Sequence, residues 1–498
     1  SVFNATLDTI CEGLANIFPN KARGHKVNKE WFRKRLLEGK KRKSHAWRIY
    51  PRNATYIQYK ECKELPLFRE TAYKGGFYAK PIMQRKHPYG SLASRTLGSL
   101  RTDSNMAKNG IELSYDTILR GKDGISHSMK IRDKRVQVID AEPKDGHDLI
   151  ATIDVDIQDM AEKTLVAKLK EPSVNGILGM AIVMEVATGE IKAMCNLDRG
   201  SDLQYYEIAN HAVVRMEPGS TFKTIAMMAA LDDGKVNIDD TLRVWKDGWN
   251  YHGATHRDAH PADTVYTLRQ ALAVSSNIAL ARMITDGYNG SAKKFVNKLK
   301  RMGLCDSIDY IIPGAHQPRI NIPKDTVTIS RMAYGYSVEL SPLQVLTFYN
   351  GIANDGRMIS PVLVTEVKDG KTTIESFETQ TIKSNLCSKQ TLEDIRASLL
   401  DVVWDNDLGT AAMNKWRQRK AQSDLVKIAG KTGTAQMVQA TGGYTAKDGG
   451  RDYLGTLVGY FPAEAPKYTC IVSIKTLRKR GEVKFYTGAG VSLPVFKE

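Results

Sequence analysis

The sequence predicts an α+β fold, in which an antiparallel sheet is covered by helices and preceded by a separate first region. Three observations predict it. Strand-like segments stand at both ends of residues 148–498, before residue 195 and after residue 425, and enclose a helical middle. The first 147 residues are basic, short in apolar runs and broken by Pro51, Pro66, Pro81 and Pro88. Pro143-Lys144-Asp145-Gly146 is a turn cluster at the change of texture, so the expected domains are 1–147 and 148–498.

Length and composition permit this. The 498 residues, 42% hydrophobic and 8% aromatic, are enough for two domains and a large core. The formal charge of +17 invites a nucleic-acid reading, but it is unevenly spread. Lys21 to Tyr50 holds 12 Lys or Arg against Glu30 and Glu38, a net +10. Trp31, Phe32, Leu36 and Leu37 give this segment an apolar stripe at helical spacing. A basic amphipathic helix with its stripe on a core is expected, with contact to anionic lipid headgroups as the alternative. Six scattered cysteines, with no Cys-x-x-Cys, argue against a metal site. No apolar run reaches 18 residues, so no membrane span is expected within the chain.

In the first region a helix is expected over 5–17, then the basic helix. Alternation at Met129-Lys130-Ile131-Arg132 and at Arg135 to Ile139 predicts strands of a small sheet. From Asp148 the signals sharpen. Asp148–Asp154 reads as a strand and 156–169 as a helix. Met180–Val186 and Glu190–Met194 read as strands of a hairpin turned by Ala187-Thr188-Gly189. Residues 426–435, 453–461 and 468–474 are further strands, with Thr441–Gly443 and Asp448–Gly450 in the loop between them.

Three short motifs carry the chemistry. In Glu217-Pro218-Gly219-Ser220-Thr221-Phe222-Lys223 the Pro-Gly pair opens a helix that Gly234 closes. Residues i and i+3 share a helix face, so Lys223 can reach the Ser220 hydroxyl, the arrangement of an activated serine nucleophile. Ser275-Ser276-Asn277 follows 55 residues later and offers a hydroxyl and an amide that flank one residue. Lys431-Thr432-Gly433-Thr434 lies 156 residues beyond Ser275, on a strand. Gly433 there permits close approach of another backbone, so a peptide can add along the edge. Each motif alone is ordinary: a capped helix, a turn, a glycine in an edge strand.

Their conjunction in this order resembles the penicillin-binding protein transpeptidase family, which uses Ser-x-x-Lys, Ser-x-Asn and Lys-Thr-Gly. The middle residue of the second motif is Ser276 rather than Asp, as in the penicillin-binding branch. Tyr206–Asn210, Thr152-Ile153-Asp154 with Gln158, Ser341–Gln344 and Ile352–Gly356 are also similar to that family. Pro88–Gly98 and Gly110–Gly124 resemble the pedestal of its class B, monofunctional members, and the division-specific FtsI subgroup fits better than the elongation one.

The resemblance implies a penicillin-binding/serine β-lactamase-like transpeptidase domain on an N-terminal pedestal, and a peptidoglycan D,D-transpeptidase working without cofactor or metal. Ser220 would be the nucleophile, Lys223 its base and Ser275 the proton relay to the leaving amine. Asn277 would orient the stem peptide, Lys431, Thr432 and Thr434 would bind the terminal carboxylate on the Gly433 strand, and backbone N–H groups of Ser220 and Thr434 would form the oxyanion hole. Implied partners are peptidoglycan stem peptides, β-lactam antibiotics, a membrane glycan polymerase of the SEDS family and divisome proteins. No nucleic acid is expected. An N-terminal single-pass anchor, outside this chain, would hold the enzyme in the bacterial plasma membrane with its catalytic domain on the periplasmic side.

A β-lactamase, a noncatalytic β-lactam sensor and a basic nucleic-acid-binding protein are the competing readings. The pedestal-like region favours the biosynthetic enzyme over the β-lactamase. His252, His256 and His260 recur every four residues, but Gly253 and Pro261 break a helix there. His256-Arg257-Asp258 echoes a kinase catalytic loop without the glycine-rich phosphate loop that should accompany it.

Overall fold

A computed structural model describes residues 2–498 apart from 19–20, 23–24, 45, 81, 83–84, 105, 132–133, 309–310, 413–420, 438–450 and 479–486. The expected loop at 441–450 lies outside the described residues. The chain forms two compact units, Ser1–Pro88 and Tyr89–Glu498.

In the first unit, helix Val2–Ile17 packs with the basic helix Lys29–Lys41 and with Tyr56–Lys63. Asn28 starts the basic helix by accepting the Trp31 N–H. The core here is Leu7, Ile10, Cys11, Leu14, Phe18, Val27, Phe32, Cys62 and Phe68. The apolar stripe therefore faces a core, with Phe32 buried and Trp31 and Leu36 packed against it, while Leu37 stays exposed. Arg35 lies over both Trp31 and Trp47, so part of the basic charge is spent on aromatic faces.

The second unit is built on a six-stranded antiparallel sheet. Its spatial order is Tyr205–Tyr206, Ile191–Arg199, Gly176–Glu185, Tyr468–Arg478, Arg451–Phe461 and Ala429–Gln436. Strands from the two ends of residues 148–498 thus meet at its centre, where Ile471 pairs with Ile182. The strand that holds the third motif is an edge. The expected hairpin forms, but the expected strand at Asp148 joins a separate three-stranded sheet with Val364–Asp369 and Thr372–Ser376. Asp154 caps the next helix, Val155–Lys170, by accepting the N–H groups of Asp156 and Ile157. Ile125–Ile131 and Lys134–Ala141 form a two-stranded ribbon, as their alternation predicts.

Helices cover the sheet on both faces. Phe222–Asp232 and Pro342–Ala353 lie in the larger core, and Val155–Lys170 with Leu493–Lys497 belong to the smaller. Phe222 to Ala230 are buried without a break, which marks a central helix rather than a surface one. On the far side, Glu207 fixes the Ser94–Leu97 turn by accepting the N–H groups of Arg95 at 2.8 Å and Asn196 at 3.1 Å. Burial raises this carboxyl to about 7.

Candidate active site

The first motif does not start as an α-helix. Gly219–Thr221 form a 3₁₀ turn that leads into the helix Phe222–Asp232, so Ser220 sits, half-buried, just ahead of the helix proper. The turn is clamped on two sides. Gly219 has φ +56° and donates its N–H to Gly335 O at 3.2 Å. Gly335, at φ +88°, must be glycine, because a Cβ there would stand 2.1 Å from Gly219 O. From below, the Tyr349 hydroxyl bridges Thr221 O and the Thr224 hydroxyl at 2.8 Å each.

The second motif lies between two helices. Leu268–Ala273 ends in a left-handed residue, Ser275 at φ +59°, with Ser276 N–H returning to Ala271 O at 2.9 Å. Ser276 then caps Asn277–Gly287 through the Ala279 N–H. Lys223 Nζ donates to Ser275 O at 2.6 Å and to Ser275 Oγ at 3.1 Å. Lys431 Nζ, from the edge strand, donates to the same Oγ at 2.9 Å and to Thr432 O at 2.8 Å. Sites 52 and 156 residues away from Ser275 in sequence therefore converge on one hydroxyl.

Both lysines are fully buried. Burial pushes Lys223 down to about 7, against a smaller opposing pull from Asp258. Burial also pushes Lys431 well below its ordinary range, and Lys223 adds repulsion. Two ammonium groups sharing one hydroxyl in a dry site repel strongly, so near neutral pH one of the amines gives up its proton. A neutral lysine next to a serine is a base. Among the described residues, neither lysine makes a hydrogen bond to Ser220 Oγ, and the Lys223 amine is aimed at Ser275.

The other expected residues fall around this centre. Gly433 faces the Ser220 turn so closely that a Cβ would stand 2.9 Å from Thr221 Cγ2. The Thr434 hydroxyl accepts the Gly488 N–H at 3.2 Å, which leaves its proton for another acceptor. Thr432 Oγ1 lies 2.6 Å from Thr410 Oγ1. The Asn277 amide donates to Arg257 O at 2.8 Å.

Sequence reasoning passed over three contributors. Thr410 ties the edge strand to the second motif, since its N–H donates to Ala273 O at 3.1 Å. Gly335 sets the depth of the Ser220 turn. Asp258, set aside within His256-Arg257-Asp258, accepts hydrogen bonds from Ser276 and Asn277. The only signals were a small-residue turn at Gly409–Ala412 and a charged triplet, and neither names its distant partner. The three histidines lie on and after a hairpin, Trp249–Tyr251 with Ala254–His256, rather than on a helix.

Comparison with known proteins identifies the family. Residues 179–498 match the family described as penicillin binding protein transpeptidase domain, and residues 2–151 match the penicillin-binding protein dimerisation domain. A probable peptidoglycan D,D-transpeptidase PenA of Neisseria meningitidis is 25% identical over 85% of this chain and 68% of its own length. Penicillin-binding protein PbpB of Mycolicibacterium smegmatis is 27% identical over 77% of the chain and 59% of its own length. Stage V sporulation protein D of Bacillus subtilis is 26% identical over 88% of the chain and 65% of its own. The chain thus spans about two thirds of these relatives. Among solved structures, penicillin binding protein 2X of Streptococcus thermophilus superposes with a TM-score of 0.78 at 19% identity, over 100% of this chain and 73% of that one. Penicillin binding protein 3 of Mycobacterium tuberculosis gives 0.67 at 25% identity, over 83% and 89%.

Proposed function

Because the chain belongs to the penicillin-binding protein transpeptidase family, in the class B form with a dimerisation-type region ahead of the transpeptidase domain, we propose that Ser220 is the acyl-transfer nucleophile of a peptidoglycan D,D-transpeptidase. The observation that carries this is the convergence of two buried amines on the Ser275 hydroxyl, one from Lys223, three residues past Ser220, and one from Lys431 on the last strand of the sheet.

The donor peptide lies along the Ala429–Gln436 edge, and its terminal carboxylate meets Lys431, Thr432 and Thr434. That carboxylate restores charge to Lys431, and the resulting cation drives a proton off Lys223. Neutral Lys223 takes the Ser220 proton as Oγ attacks the penultimate D-Ala carbonyl, with the N–H groups of Ser220 and Thr434 facing the oxyanion. The C–N bond breaks, Ser275 hands a proton to the departing D-Ala amine, and an ester remains on Ser220. An amine of a neighbouring stem peptide attacks that ester, forms the crosslink and frees Ser220. Asn277 turns its amide from Arg257 to the incoming peptide. A β-lactam acylates Ser220 by ring opening and has no leaving group to lose.

We infer a transpeptidase domain over 148–498 and a pedestal over 1–147; the family matches over 179–498 and 2–151 support a change of domain in that part of the chain. Likeness to the FtsI subgroup supports a septal role beside a SEDS polymerase and divisome proteins, with a single-pass anchor holding the enzyme on the periplasmic side of the plasma membrane. A fluorescent fusion confined to midcell is the expected outcome, and uniform labelling along the cell wall overturns it.

Incubation with a fluorescent penicillin followed by intact-mass measurement tests the chemistry. A single stable adduct is expected on the wild type and none on Ser220→Ala. No wild-type adduct overturns the proposal, and rapid loss of the adduct makes the protein a β-lactamase.

A further inference from the structure

Asp258 is absorbed by none of the steps above, yet it is wired into the second motif. One carboxylate oxygen accepts the Ser276 hydroxyl at 2.8 Å. The other accepts the N–H groups of Asn277 at 2.6 Å and Ile278 at 3.0 Å, at the start of the helix Asn277–Gly287. These are charge-assisted bonds to a helix N-terminus, the strongest local means of fixing where such a helix begins. Asp258 is itself anchored. Two residues earlier, the buried His256 ring is held between the Tyr334 hydroxyl at 2.8 Å and the Ser330 hydroxyl at 3.0 Å.

We propose that Asp258 is a positioning residue for acyl transfer: through Ser276, Asn277 and Ile278 it fixes where the Ser275 hydroxyl and the Asn277 amide stand relative to Ser220. The proposal rests on the Ser220 reading and deepens it. Ser275 is in the left-handed conformation, which carries a cost for a residue with a side chain and persists where its surroundings hold it. The preceding helix holds one flank, through Ser275 N–H to Leu272 O and Ser276 N–H to Ala271 O. Asp258 holds the other. Its charge has a second effect, since it bears on Lys223, which otherwise faces the Lys431 amine and the Ser275 hydroxyl. Tyr266, on the strand Thr264–Thr267, also feels Asp258, as a smaller effect than burial.

The test is the second-order rate of Ser220 acylation by a fluorescent penicillin, from about pH 6 to about pH 9, with melting temperatures, on the full chain. Asp258→Asn keeps the shape and one acceptor but loses the charge. Acylation is expected to fall about 10- to 100-fold. The rising limb of the pH profile moves to lower pH, because the carboxylate no longer helps Lys223 keep its proton. Asp258→Glu restores most of the rate and the limb. Ser276→Ala keeps the charge and slows acylation by a smaller factor, with the limb in place. Wild-type acylation in Asp258→Asn overturns the proposal. So does a rate loss that only tracks loss of folded protein and leaves the limb unmoved. Should Asp258→Asn fail to fold, an unslowed Ser276→Ala overturns it equally. Failure of the wild type to acylate counts against Ser220, not against Asp258.

Discussion

At one end of the helix Phe222–Asp232 stands Lys223, a cation where the helix dipole favours an anion. At the other end stand Asp232 and Asp233, anions where it favours a cation. The acidic end is neutralised by partners. Lys298 pairs with Asp232 and lies 3.4 Å from Asp233, Arg301 adds a bond to Asp233 at 2.9 Å, and the Tyr288 hydroxyl and Ser388 N–H complete the set. Among the described residues the basic end has no ion pair of this kind: Lys223 donates to the Ser275 hydroxyl and carbonyl, a second buried lysine opposes its charge, and the pull of Asp258 is smaller than the effect of burial. One end of the helix is therefore built for stability. The other is held in a state that is relieved by losing a proton, which is the property a general base needs.

Lys223→Met is the sharpest way to break this comparison. Acylation of Ser220 by a fluorescent penicillin should fall by about 10³-fold, while the protein melts no lower than the wild type, because a buried amine is replaced by an apolar chain of similar length. The linkage has a definite sign. Lys223 has a folded pKa near 7 against an ordinary 10.5. Between these values the unfolded chain binds the extra proton, so this group's contribution to stability rises with pH. Any stability advantage of Lys223→Met should thus shrink from neutral to alkaline pH in paired melting curves. An advantage that grows with pH contradicts a depressed lysine.

Lys298→Met tests the other end. Removing the cation leaves two carboxylates at a helix C-terminus and should destabilise the fold by about 3 kcal/mol, measured by urea unfolding, with acylation per folded molecule unchanged. A loss of acylation without loss of stability would erase the distinction between the ends. The smallest effect is expected from Arg301→Ala. Its side chain is 60% exposed, and the loss should stay below about 1 kcal/mol and shrink further with added salt.

Much of the protein was legible in the chain. The stop of the Lys223 helix, the hairpin around Ala187-Thr188-Gly189 and the basic helix with its apolar stripe all follow from interactions within a few residues. The three motifs were legible as a set, since their order and spacing resemble one family. Other features were not. The 3₁₀ turn at Ser220 depends on Gly335 pressing against Gly219, 116 residues away in sequence. Asp258 and Thr410 carry no signal of their partners, because a carboxylate or hydroxyl in a loop looks the same whether it faces water or a motif. The strand at Asp148 was legible as a strand but not as a member of a separate sheet, since pairing is decided by what lies alongside.

The chain alone, then, sets where most of the helices and strands form, and supplies the hydroxyls, amines and amides of the candidate site. These depend on local backbone preference, capping and side-chain period. Only the tertiary structure decided that Lys223 and Lys431 would meet at Ser275 and that both would be stripped of water. Desolvation is a property of the closed core around a group, not of the group or its neighbours in the chain.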